Sequence, residues 1–183
     1  MRILNKHNRM IVYITGASGS GKTTLLKSLS VKRYDLDDIY ENNWKKHKRI
    51  DTVQKGVIKD INVLLSEHKN IVFVGLQGKD NLPFTPDVTY ILIRKDYEQY
   101  YRDKLVRDLN LLCKYKNEFE EVLKKKPFDE FRLHFWSNDI VNMKSLDEFK
   151  KYLDKMNNSL KKDFPTAEIL TASEIIKKVK TLF

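Results

Sequence analysis

Gly16, Gly19 and Gly21 are three of only six glycines in the 183-residue chain. They fall in one stretch, Gly16-Ala-Ser-Gly-Ser-Gly-Lys-Thr23, that fits the spacing G-x-x-x-x-G-K-[ST]. The spacing has a chemical reason. Glycines let the backbone curl so that successive N–H groups, including those at Ser18 and Ser20, point inward at phosphate oxygens. Lys22 brings a mobile charge to the β/γ-phosphates, the Thr23 hydroxyl ligates Mg²⁺, and Thr24 assists at the α-phosphate. A helix opening near Gly21 adds its positive N-terminal end. The chemistry implied is the gripping of ATP with Mg²⁺. The competing reading, a flexible serine–glycine turn, leaves unexplained why the stretch sits between a buried strand and an amphipathic helix.

A phosphate grip alone does not choose between motor, transporter, switch and transferase. Hydrolytic enzymes of this kind carry an apolar strand that ends in Asp or Glu. Here IVFVG ends in glycine and VTYILI is followed by arginine. The carboxylates lie instead in Asp35-Leu-Asp37-Asp38. Residues two apart on a strand share a face, so Asp35 and Asp37 are predicted to project together from the end of a second strand, where open parallel sheets bind ligands. One of them positions Mg²⁺ through water, a role given to Asp35 beside Thr23. The other, Asp37, accepts a proton from an attacking hydroxyl. Asp38 is read as a helix-capping acid.

Around these residues the hydrophobic pattern sets out alternating strands and helices. Met10 to Thr15 reads as a buried strand, Lys22 to Ser30 as a brief helix, and Arg33 to Asp37 as a short strand. Asp51 to His68 forms an amphipathic helix with Asp51 as N-cap, weakened by about 1 kcal/mol at Gly56. Ile71 to Gly75 and Val88 to Ile93 are continuous and β-branched, as strands covered on both faces should be. After Asp96 a helix is predicted with Tyr97, Tyr101, Leu105, Leu109 and Leu112 inward. Another opens at Pro127 with Phe128, Phe131 and Phe135 inward. Ser145 to Glu148 and Thr171 to Glu174 are capping boxes for two more helices, with a weak fifth strand, Ala167 to Leu170, between them. The fold class predicted is α/β: three layers, a five-stranded parallel sheet with helices on both faces and a helical insertion before the last strand. One domain covers 1–183, with about 114–165 as a helical elaboration or lid.

With loop, acidic pair and strand order in place, the chain resembles the small P-loop kinases, the shikimate, gluconate, nucleoside and adenylate kinase group. The resemblance runs over roughly residues 10 to 110. It implies that Gly16 to Thr24 form the Walker A loop, and that Asp35 and Asp37 serve metal and substrate. It implies that Gly75-Leu-Gln-Gly78 holds substrate on backbone N–H groups, with Gly75 and Gly78 as contacts. It also implies that arginines after the fourth strand, among Arg94, Arg102 and Arg107, clamp the transferred phosphoryl group. Arg102 and Arg107 are five residues apart, so on one straight helix they diverge by about 140°. Both reach one phosphate only if that segment bends or moves. Ordinary surface pairing, such as Arg107 with Asp103, is the competing reading. The turn GLQG is not all-glycine, which departs from a shikimate-type carboxylate site. The segment GASGSGKTTLL also resembles guanylate kinases and ABC transporter ATPases, but the chain has neither an arginine-rich GMP-recognition segment after the first helix nor an LSGGQ-like signature.

Composition bounds the partners. Lys+Arg number 35 against 25 Asp+Glu, a net charge of +10 that favours phosphate-bearing ligands, whether nucleotide or nucleic acid. The densest basic cluster is Lys45 to Arg49, after Trp44. No apolar run is long enough to span a bilayer, and the N-terminus lacks the apolar core of a secretion signal. A single cysteine, Cys113, allows no internal disulfide, so a cytoplasmic, reducing setting is expected. His7, His47, His68, His134 and Cys113 show no metal-ligand spacing. Three functions compete: a kinase acting on a small metabolite, with nucleosides or nucleotides favoured; a polynucleotide kinase or other ATP-dependent nucleic-acid enzyme; and a non-catalytic nucleotide-binding module. The sequence fixes neither the acceptor nor the oligomeric state.

Overall fold

Six successive residues of Met10–Thr15 (β1) are apolar or β-branched, and they occupy the centre of the sheet. β1 pairs in parallel with Asn70–Val74 (β3) on one side, Ile11 opposite Ile71 and Tyr13 opposite Phe73. It pairs with Val88–Leu92 (β4) on the other. Arg33–Asp35 (β2) lies outside β3, and Glu168–Leu170 (β5) outside β4, both parallel. The order is β2-β3-β1-β4-β5. The structure is a computed structural model that describes residues 9–47, 49–114 and 145–183.

The period of two sends alternate strand residues to opposite faces. Ile11, Tyr13, Phe73 and Ile91 pack against Leu36–His47 (α2) and Ile50–Glu67 (α3) through Leu36, Val53, Val57, Ile61 and Leu65. Val12, Ile14, Val72, Val74, Tyr90 and Leu92 pack against Lys22–Ser28 (α1) and Ala172–Leu182 (α6) through Leu25, Leu29, Ile175 and Val179. Three layers with a parallel sheet in the middle are therefore present, and the fold is the P-loop NTPase arrangement that the sequence predicts. The Thr171–Glu174 capping box forms, with Thr171 N–H and Oγ1 both donating to Glu174 Oε2 at 2.7 and 2.6 Å.

Three local expectations need correction. β2 stops at Asp35, and α2 begins at Leu36, so Asp37 is a first-turn helix residue and shares no strand face with Asp35. The cause is Asp35 itself: its Oδ1 accepts the N–H of Asp37 at 3.0 Å, the bond of an N-cap side chain. Arg49, not Asp51, stands at the N-cap of α3, with Asp51 in the first turn and 3.7 Å from the Arg49 guanidinium. Gly56 is a requirement of packing and not a flaw in α3. A Cβ there would collide with Oδ1 of Asn43 on α2. Asn43 is buried, and its Nδ2 donates to Ile39 O at 3.0 Å and Asp60 Oδ2 at 2.8 Å.

The chain divides into two compact units, Met1–Arg94 with Met156–Phe183, and Lys95–Lys155. The second contains Tyr97–Lys114 (α4) and the start of Leu146–Asp163 (α5). α5 opens on the predicted capping box, Ser145 and Glu148 exchanging bonds of 3.1 and 3.2 Å. In α4 the buried line is Tyr100, Lys104 and Asp108, one position away from the predicted Tyr97–Tyr101–Leu105 face. The Lys104 ammonium meets Asp108 at 2.8 Å. A paired lysine goes under cover, and a pattern that counts every lysine as solvated misphases the helix. The predicted Leu109 and Leu112 side chains and the helix from Pro127 lie outside the described residues.

Candidate functional site

The loop predicted to hold phosphate joins β1 to α1. Gly19 and Gly21 adopt φ of 83° and 97°, in the left-handed region that favours glycine. Gly16 is needed for a different reason, since a Cβ there would stand 2.5 Å from the carbonyl oxygen of Leu92 on β4. Lys22 folds back over the loop, its Nζ donating to Gly16 O at 2.7 Å and Ala17 O at 3.3 Å. The Ser20 hydroxyl is buried beside the loop and has no hydrogen-bond partner among the described residues. Buried polar atoms are almost always satisfied, so this orphan, within a glycine cradle, fits a polyphosphate as its missing partner. Thr23 and Thr24 are exposed in the first turn of α1, where N–H groups have no intrahelical acceptor.

Thr23 and Asp35 meet. The Thr23 Oγ1 donates to Asp35 Oδ2 at 3.2 Å. Two hard oxygens thus stand at the end of the loop, suited to Mg²⁺ or its water shell. Asp37 is held from another direction, its Oδ1 accepting from Gln77 Nε2 at 3.3 Å. Asp35 therefore faces the loop and Asp37 faces the turn after β3, although the two are separated by a single residue.

That turn works through its glutamine. Gly75 N–H donates to Ile14 O at 3.2 Å, so it is not the substrate-facing donor that the resemblance implies. Gly75 is glycine because the Gln77 side-chain oxygen occupies the place of its Cβ. Gly78 is hemmed in by Asp163, 2.6 Å from where its Cβ would be. The Tyr13 hydroxyl, reaching up from β1, donates to Gln77 O at 3.0 Å and pins the turn. Burial pushes the Tyr13 phenol far above its usual range, and the charges of Asp37 and Asp35 add to this, so it stays a donor. Gln77 and Tyr13 are the residues that sequence reasoning passes over. The only signal was a polar side chain between the two glycines and a tyrosine within an apolar strand.

Beside Gln77 opens a cavity of about 490 Å³, lined by Tyr40 of α2, Gln54 and Ile58 of α3, and Gln77, Asp80, Asn81, Leu82 and Pro83. Its volume falls in the range of about 300–1,000 Å³ usual for small-molecule sites. Arg102 and Arg107 belong to the second unit. Arg102 is paired there with Glu98 at 2.7 Å, and Arg107 Nε lies 3.7 Å from Asp108. Asp103, the partner considered for Arg107, accepts from Gln99 at 2.7 Å.

Burial raises the Asp35 carboxyl above its ordinary value of 3.8; Asp37 and Asp38 add to the rise, and the Asp37 N–H and Thr23 hydroxyl oppose it. The folded protein thus holds this proton more tightly than the unfolded chain does. The stabilisation is complete below pH 3.8 and is lost as pH rises through the elevated folded value. Asparagine caps a helix as well as aspartate does. Asp35→Asn is therefore expected to melt higher than the parent at pH 7, with the difference closing towards pH 4. Thermal unfolding at both pH values checks this, and a lower Tm at pH 7 contradicts it.

No protein-family model and no curated protein sequence matches this chain. Among solved structures it is similar to a shikimate kinase from Bacteroides thetaiotaomicron, at 16% identity over 94% of this chain and 95% of that one, with a TM-score of 0.44. It is similar also to a protein from Thermus thermophilus, at 16% identity over 97% and 99%, TM-score 0.46. A third is a protein from Eubacterium ventriosum, at 14% identity over 94% and 99%, TM-score 0.46. What the site can do rests on its own geometry.

Proposed function

We propose that the protein is a P-loop kinase that transfers a phosphoryl group from ATP to a hydroxyl of a small metabolite, with nucleosides and nucleotides as the acceptors to test first. The observation that carries this reading is the 3.2 Å contact between Thr23 and Asp35, which joins the phosphate-gripping loop to the acidic residues. When bound, ATP with Mg²⁺ supplies the transferable group and the cation that offsets its charge. Glycines of the loop and the Ser20 hydroxyl bind its phosphates. Lys22 leaves the carbonyls of Gly16 and Ala17 and turns its ammonium to the β/γ-phosphates. Thr23 Oγ1 and Asp35 Oδ2 hold the metal or its water. Gln77 engages Asp37 Oδ1, which leaves Oδ2 to take the proton from the acceptor hydroxyl.

Calorimetry with ATP, then a screen of acceptors with γ-labelled ATP and Mg²⁺, tests the reading. Asp37→Asn is expected to retain ATP binding and to lose about 10²-fold or more in transfer. ATP binding without transfer to any acceptor would make the protein a nucleotide-binding module instead.

One observation favours a nucleic-acid acceptor as the second reading. Along α2, Trp44 is 42% exposed, and the last turn carries Lys45, Lys46 and His47. An exposed ring and cations beyond Tyr40 suit a stacked strand. If this reading holds, affinity for a 5′-hydroxyl oligonucleotide falls steeply with salt, because each neutralised phosphate releases counterions. A salt slope near zero removes it.

A further inference from the structure

We propose that Gln77 is a positioning residue for the reaction: seated over Gly75 and held from β1 by Tyr13, it clamps one oxygen of Asp37 so that the other faces the acceptor hydroxyl. The proposal rests on the kinase reading and deepens it. The main chain of Asp37 is already fixed from two sides. Asp35 Oδ1 accepts its N–H at 3.0 Å. Leu36, just before it, is fully buried, and its Cδ1 and Cβ lie 3.1 and 3.2 Å from where a Cβ of residue 75 would stand. What stays free is the carboxylate, an exposed group on a torsion that is broad and roughly two-fold. Gln77 removes that freedom, its Nε2 donating to Asp37 Oδ1 at 3.3 Å. The bond is long, as bonds to a catalytic base often are before a substrate closes over them.

Two features mark this contact as built into the fold. The first is the seat of the amide. Gln77 Oε1 is packed into the place that a Cβ at Gly75 would take, and it is buried with no hydrogen-bond partner among the described residues. An amide oxygen left without a donor costs stability. Turning the amide over would set that oxygen against the Asp37 carboxylate, two acceptors with no proton between them, so one orientation alone keeps a donor on Asp37. The second is the Tyr13 hydroxyl, which donates to Gln77 O at 3.0 Å and ties this main chain to the centre of the sheet. Asp37, Gln77 and Tyr13 thus form a chain from an exposed carboxylate to β1, and the turn after β3 serves the base. In transfer, the proton of the acceptor hydroxyl passes to the unclamped Asp37 Oδ2 and its oxygen forms a new bond to the γ-phosphorus. The bond from that phosphorus to the β–γ bridging oxygen breaks, and ADP leaves.

The test measures steady-state transfer from γ-labelled ATP with Mg²⁺ in two variants. Gln77→Met keeps the length of the side chain and drops the donor; Gln77→Glu keeps its shape and sets an acceptor against Asp37. The acceptor is whichever of the screened nucleosides, nucleotides and sugars reacts fastest. Both variants are expected to lose about tenfold or more in kcat, the scale of a misplaced catalytic group, with KM for ATP unchanged and a melting curve that shows a folded protein. In an Asp37→Asn background Gln77→Met is expected to cost nothing further, because the group that it positions no longer takes a proton. Gln77→Glu as active as the parent overturns the proposal, since shape alone then suffices. So does an equal loss from Gln77→Met with and without the Asp37 carboxylate, or a fall in Tm with kcat intact, which leaves Gln77 a purely structural role. A parent protein that transfers to no acceptor overturns the kinase reading itself, and the base role of Asp37 with it.

Discussion

Lys22→Ala is expected to reduce phosphoryl transfer by about 10³-fold, the scale of losing one preorganised donor to transition-state charge, while the protein still folds. The structure explains why the two effects separate. Lys22 takes no part in the buried core; its ammonium rests on the Gly16 and Ala17 carbonyls, bonds made within one loop. Removing it leaves two carbonyls at a partly exposed loop, which water can satisfy. On the kinase reading, the charge that would meet the β/γ-phosphates is lost outright. Lys22→Arg tests shape against charge, since a planar guanidinium does not fit a cradle built for a compact ammonium. Steady-state transfer from γ-labelled ATP, alongside a melting curve for each variant, gives the answer. Unchanged activity in Lys22→Ala would end the kinase reading.

Gly56→Ala carries the largest expected effect on stability, a loss of about 2 kcal/mol from overpacking against Asn43. On an isolated helix the same change is favourable by up to about 1 kcal/mol, so the sign itself is diagnostic. The new methyl drives into Asn43 Oδ1, and Asn43 can move only by giving up its bonds to Ile39 and Asp60. In an Asn43→Ala background the obstacle is gone, and Gly56→Ala is expected to stabilise. Denaturant unfolding of the four proteins in this cycle measures the coupling. Additive effects would mean that α2 and α3 are not in close contact at this point.

Much of this architecture was legible because buried parallel strands announce themselves. IVFVG and VTYILI are continuous apolar runs, and nothing in them competes with a strand. Both capping boxes were readable from four residues each, because their bonds are local. The glycine loop was readable for the same reason. The acidic pair was legible in composition but not in geometry. RYDLD alternates like a strand, yet the Asp35 carboxylate bonds forward to the Asp37 amide and starts a helix. Gln77 was invisible as a site residue because its role arises from three elements distant in sequence: Asp37, Gly75 and Tyr13. The buried Lys104–Asp108 pair was missed because no periodicity rule places a charge inside.

The central position of β1 shapes how the protein must be made. Met10–Thr15 leaves the ribosome before either neighbour in the sheet exists; β3 follows after roughly 55 further residues, or about 3–11 s of translation at about 5–20 residues per second. For that interval MIVYIT is an unpaired, sticky ribbon, and α1 has no surface to lie on. Nascent chains paused short of residue 70 should accordingly depend on chaperone holding, whereas those extended far enough beyond residue 92 for β4 to clear the ribosome can close the three inner strands.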